Sequence, residues 1–113
     1  MKIKDLCQAE RPRERLLASG ADALSSAELL AILLRTGSGG RNAIELSHEL
    51  LGASGGSLVK LSWQTAQSLT AINGIGQEKA AALLACFELA RRWLLEVNSF
   101  DGKGIYDPSE AYH

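Results

Sequence analysis

The stretch from Leu69 to Leu84, LTAINGIGQEKAAALL, constrains the fold of this chain more than any other. Apolar residues sit at helical spacing on both sides of Asn73-Gly74-Ile75-Gly76. That pattern predicts a helix ending near Ile72, a tight turn, and a second helix from about Gln77. Gly74 and Gly76 supply backbone angles that a Cβ would forbid. Ile75, between them, is placed to turn inward and pin the two helices, and small Ala80 lets them approach. Amides at the start of the second helix have no intrahelical acceptor. Together with the positive end of the helix dipole they attract anions, and Lys79 adds a charge in the first turn. The plain alternative is a turn that only packs a helix pair.

These residues resemble the helix-hairpin-helix motif, which grips the nucleic-acid backbone through its glycine turn without reading bases. The resemblance assigns phosphate contacts to Gly74, Ile75, Gly76 and Lys79. A second glycine turn lies 37 residues earlier, where Gly37, Gly39 and Ala43 repeat the spacing of Gly74, Gly76 and Ala80. Internal repeats of this kind point to paired hairpins. The earlier copy is degenerate, with Ser38 in place of Ile75 and Arg35 in place of Ile72. It is either a second hairpin, giving a weaker contact through Gly37, Gly39 and Arg41, or a loop with chance glycines.

The chain has 113 residues, enough for one small domain. Leucine and alanine dominate, which favours helices. A formal net charge of −1 means that any DNA binding relies on local donors and is weak and salt-sensitive. Cys7 and Cys86 form neither a disulfide framework nor a zinc spacing, and Cys86 reads as a small core residue. No signal peptide or membrane-length apolar run is present, so the expected location is the cytoplasm.

In order along the chain, residues 1–10 read as a short arm packing through Ile3 and Leu6. Pro12 suits the first turn of a helix that stops at Gly20. Arg11, Arg13 and Arg15 either touch phosphates or form a solvated face paired with Glu10 and Glu14. Ser25 and Glu28 make a capping box for a central helix carrying Leu29, Leu30, Ile32, Leu33 and Leu34. The next helix, about 42–51, turns Ala43, Ile44, Leu46, Leu50 and Leu51 inward. After a small-residue connector, Ser57–Leu61 reads as one helical turn. Ser62 is the expected cap of a helix from Trp63 to Thr70, with Trp63 as a packing anchor. The closing helix, Gln77 to Val97, has a buried stripe of Ala80, Leu83, Leu84, Phe87, Ala90 and Leu94. Arg91 and Arg92 suit its C-terminal dipole or a phosphate.

An enzymatic reading is weak. Ser25, Ser47 and Ser57 lack a positioned base, His48 stands alone, and Glu45 and Glu49 read as a solvated face. No catalytic residue, metal site or cofactor is assigned to this chain.

Four runs come in a telling order: Ile3-Lys-Asp-Leu6, Arg11-Pro-Arg-Glu-Arg-Leu-Leu17, Leu24-Ser-Ser-Ala-Glu-Leu-Leu-Ala-Ile-Leu-Leu-Arg-Thr-Gly37 and Ile72-Asn-Gly-Ile-Gly76. Together they resemble the N-terminal region of RadC-like (UPF0758) proteins. The resemblance implies an all-α domain of five to six helices over residues 1–97, built from paired hairpins and similar to the second domain of RuvA. Residues 98–113 are then a linker into a following JAMM-type metalloprotease-like domain, absent here, where zinc is expected on a His-x-His pair and an aspartate. The function implied is a non-enzymatic module that binds duplex or branched DNA weakly and without sequence preference, linked to DNA repair. The alternative is a protein-interaction or spacer domain that orients the JAMM-type domain.

Overall fold

The computed structural model describes residues 11–100, excluding the side chain of Phe100. Among these residues the fold is all-α. Six α-helices follow in order: α1 Pro12–Ser19, α2 Ser26–Leu34, α3 Ala43–Ala53, α4 Leu58–Ser62, α5 Ala66–Thr70 and α6 Gln77–Phe100, with a 3₁₀ turn at Ala21–Ala23 between α1 and α2. An isolated bridge pairs Ser38 with Arg41, and among the described residues no helix is long and apolar enough to cross a membrane.

Local chemistry sets most of the boundaries. Pro12 starts α1, and Gly20 ends it at φ 92°. The Ser25 hydroxyl accepts from the Glu28 amide at 3.2 Å, and the Glu28 carboxylate accepts from the Ser25 amide at 3.0 Å. Asn42 and Glu45 repeat this reciprocal cap at the start of α3, both bonds at 2.8 Å. Each box satisfies two helix-start donors. Glu45 is therefore a cap and not merely a solvated carboxylate.

The helix before the Gly74 turn departs from expectation. Ser62 does not cap it. Its hydroxyl instead donates back to the Val59 carbonyl at 2.6 Å, and Thr65 caps α5 by accepting from the Ser68 amide at 3.0 Å. Trp63 closes α4 and is 72% exposed, so it is not a packing anchor.

The core joins Leu30 and Leu34 of α2, Leu46 and Leu50 of α3, Leu61 of α4, Leu69 of α5, and Ala80 and Leu83 of α6. Ile75 enters from the turn before α6. Each fully buried leucine contributes about 1.5–3 kcal/mol relative to exposure. Helix α2 is the hub, packing on α1, α3 and α6.

The predicted stripe of α6 holds only through its first half. Leu83 is buried, Leu84 and Phe87 pack on the core, but Ala90 is exposed and Leu94 is 53% exposed. The helix also runs through Phe100, past the boundary drawn at Val97. Arg91 and Arg92 therefore lie well before its end and do not cap it. Both bind Glu88, at 2.7 and 2.8 Å. The expected arm at residues 1–10, Cys7, and residues 101–113 lie outside the described residues.

Candidate functional site

Helix α5 gives way to a turn in which the Ile75 amide donates to the Ile72 carbonyl at 3.0 Å. Gly74 takes φ 97°, which a side chain rarely adopts. The turn drives Ile75 into the core, where it is 3% exposed. The first bond of α6 runs from the Ala80 amide to the Gly76 carbonyl at 3.0 Å. Amides of Gln77, Glu78 and Lys79 precede that bond and have no acceptor within the helix. Gly76, Gln77 and Glu78 are exposed, and a Cβ added at Gly76 would meet nothing within 4 Å. The edge is thus open to solvent, with the exposed Glu78 carboxylate in the same turn.

The earlier glycine turn packs against this one but does not repeat it. Its positive φ angles fall at Gly39 and Gly40, 63° and 82°, whereas in the later turn only Gly74 is positive. A Cβ on Gly37 would overlap the Arg41 carbonyl and lie 2.6 Å from Asn42 Cα. Gly37 is therefore required for close backbone approach.

Arg41 joins the two turns. Its Nε donates to the Ser38 carbonyl at 3.0 Å and its Nη2 to the Asn73 carbonyl at 2.7 Å, while Nη1 pairs with Glu49. The guanidinium lies against Gly74, where an added Cβ would collide with it and sit 3.1 Å from Leu46 Cδ1. Arg41 was expected to offer a second phosphate contact. Its guanidinium pairs with the half-exposed Glu49, and its side chain is 19% exposed. Glu49 is correspondingly an ion-pair partner and not a free solvated group.

Lys79 makes the other link. Its ammonium donates to the Thr36 hydroxyl at 3.0 Å. Thr36 went unnoticed in the sequence, since a threonine after a helix carries no distinguishing local signal. Arg15 pairs with Glu28 and donates to the Ala23 carbonyl at 3.1 Å, so its carboxylate partner lies on α2 and not in its own helix. The Glu28 carboxyl is held below its ordinary value by the Ser25 amide first, then by the Ser25 hydroxyl and Arg15. His48 is exposed, Cys86 is a half-buried free thiol, and among the described residues no group of three or more His, Cys, Asp or Glu could hold a metal ion.

Fold and site together define a small all-α domain whose two glycine turns are fastened side by side. Its sequence places it further: a family profile described as UPF0758 N-terminal matches residues 3–81, and the chain belongs to that family. A UPF0758 protein of Dechloromonas aromatica is 51% identical over 94 residues, covering 83% of this chain and 42% of the relative. One from Bacillus licheniformis is 51% identical over 92 residues, covering 81% and 41%. One from Alkaliphilus oremlandii is 42% identical over 111 residues, covering 96% and 48%. The chain thus spans less than half the length of these curated relatives. No solved structure matches it.

Proposed function

We propose that this domain binds the backbone of DNA without reading its sequence, through a helix-hairpin-helix element formed by α5, the Gly74 turn and α6. The observation that carries this reading is the open amide edge at Gly76–Glu78. It exists because Gly74 turns left-handed and Ile75 is spent on the core. A phosphate seated there accepts from the helix-start amides and meets the positive dipole end. Lys79, held beside the edge by Thr36, supplies the nearby cation. Such contacts position a duplex or a branched structure but carry no base information. They need no catalytic step and no cofactor, and they suit a cytoplasmic protein with a role in DNA repair.

With a formal net charge of −1, little long-range attraction assists binding. Fluorescence anisotropy with a labelled duplex at low salt tests the reading. Gly76→Glu combined with Lys79→Glu puts carboxylates on the edge and removes its cation, and is expected to abolish measurable binding. Equal affinity in wild type and variant would remove the proposal.

A second reading has its own support. Leu89, Trp93, Leu94 and Leu95 on α6 are 53–68% exposed, an apolar concentration typical of an interaction surface. In this reading the domain orients the JAMM-type domain of a longer parent protein. Trp93→Ser with Leu94→Ser in that parent would then loosen the two parts, seen as faster proteolysis between them. An unchanged cleavage rate would argue against it.

A further inference from the structure

A cleft of about 320 Å³ opens between the start of α1 and the end of α2. Arg11, Arg13 and Arg35 line it, with the Thr36 hydroxyl at one side and Glu14 as the carboxylate among them. Among the described residues that line it, Arg13 and Arg35 outnumber the carboxylate of Glu14 even with Arg11 left aside, which gives this lining a positive balance. Among the described residues Arg13 is tied only to Glu14, at 3.5 Å, with its side chain 76% exposed. Exposed pairs of this kind are weak and exchange readily for a better acceptor, and guanidinium groups favour the bidentate geometry of phosphate.

Arg35 is held there in an unusual way. Its φ is 71°, and the Thr36 amide donates to the Leu34 carbonyl at 2.8 Å, closing a γ-turn of the rare positive-φ type. Among the described residues Arg35 is the one non-glycine residue with positive φ. Glycine would take this conformation without steric cost. An arginine in a strained position at the mouth of a cleft is a pointer to function. Thr36, next in the chain, both lines the cleft and accepts from Lys79. Thr36 therefore joins the cleft lining to the Lys79 side chain of α6.

We propose that the cleft of Arg11, Arg13 and Arg35 seats a second phosphate of the same nucleic-acid backbone, a contact that does not depend on Arg41. This inference rests on the hairpin reading above and assigns its second contact. Arg35→Gly with Arg13→Ala tests it. The glycine relieves the γ-turn, so the variant is expected to melt no lower than wild type, separating binding from folding. Anisotropy is measured with a labelled random-sequence duplex from 25 to 200 mM salt. Affinity at the lowest salt is expected to fall about tenfold or more, and the slope of log affinity against log salt to shrink by about 0.9, for the one phosphate no longer neutralised. Wild-type affinity and slope in this variant would overturn the cleft as a subsite. Wild-type binding by Gly76→Glu/Lys79→Glu would instead overturn the hairpin reading beneath it. Inorganic phosphate, followed through the arginine Nε–H resonances, separates the two sources of phosphate. Shifts in wild type that vanish in the cleft variant, with duplex binding unaltered, would mean a free-phosphate site and overturn the nucleic-acid assignment.

Discussion

The Arg41 guanidinium donates to the Asn73 carbonyl at 2.7 Å, 32 residues away in sequence, and so fastens the loop ahead of α3 to the turn ahead of α6. A charged donor to a carbonyl contributes about 1.5–3 kcal/mol when its loss leaves the partner without a substitute. Arg41→Ala is therefore expected to lower stability by roughly 2 kcal/mol. Glu49→Gln removes only the pairing with a half-exposed carboxylate and should cost under about 1 kcal/mol. Urea melts of both variants measure the difference. Equal losses would show that the joint between the turns carries no special weight.

Gly37 and Gly74 need their missing Cβ, and Gly76 does not. Gly37→Ala forces a methyl into backbone atoms of Arg41 and Asn42, which cannot swing aside, and should cost about 3 kcal/mol or more. Gly76→Ala meets nothing and should stay within roughly 0.5 kcal/mol of wild type. Gly74→Ala suffers twice, from its φ of 97° and from the Arg41 guanidinium. In an Arg41→Ala background the collision disappears but the backbone strain stays. The two substitutions should therefore be less than additive, by about 0.5–1 kcal/mol in a double-mutant cycle.

What the sequence made legible follows from range. The Ser25–Glu28 box is a relation over three residues, and it was readable. Asn42 and Glu45 carry the same signal, Asn-x-x-Glu, and it could have been read. Thr65 could not be separated from Ser62 as a cap, because its partner at the third position is Ser68 and not a glutamate. The inward turn of Ile75 followed from two flanking glycines. The reach of Arg41 to Asn73 had no local trace, and the apparent repeat of glycine spacing hid two different turns. Periodicity showed which side of α6 is apolar, but not where its partners end. A helix of 24 residues is about 36 Å long, and residues 89–96 of it are exposed.

Glu28 links α1 to α2 and gives the fold an acid limit. Its carboxyl is held below the ordinary value of 4.5, first by the Ser25 amide, so the unfolded chain binds the proton more readily. The stabilisation is full above about pH 4.5 and is lost as pH falls through the lower folded value. Glu28→Gln should reduce the melting temperature at pH 7, and the gap from wild type should narrow steadily below pH 4.5. A gap that stays constant down to pH 3 would show that the carboxylate charge is not what holds this corner.

The two halves of α6 should differ in what they contribute. Leu83 is fully buried, so Leu83→Ala should cost about 2–5 kcal/mol. Leu94 is 53% exposed, so Leu94→Ala should change stability by no more than about 0.5 kcal/mol. Hydrogen exchange should follow the same gradient, with strong protection near Leu83 and weak protection beyond Arg92. Pairing of Glu88 with Arg91 and Arg92 braces the transition between the halves. Hydrogen bonds from those arginines lower the Glu88 carboxyl to about 2, so the brace persists through mild acid and is lost only near that value. Glu88→Gln should accelerate exchange after residue 88 and leave residues 80–84 unchanged. Uniform protection along all of α6, indifferent to Glu88, would mean that something covers the exposed leucines in solution and would favour the interaction-domain reading.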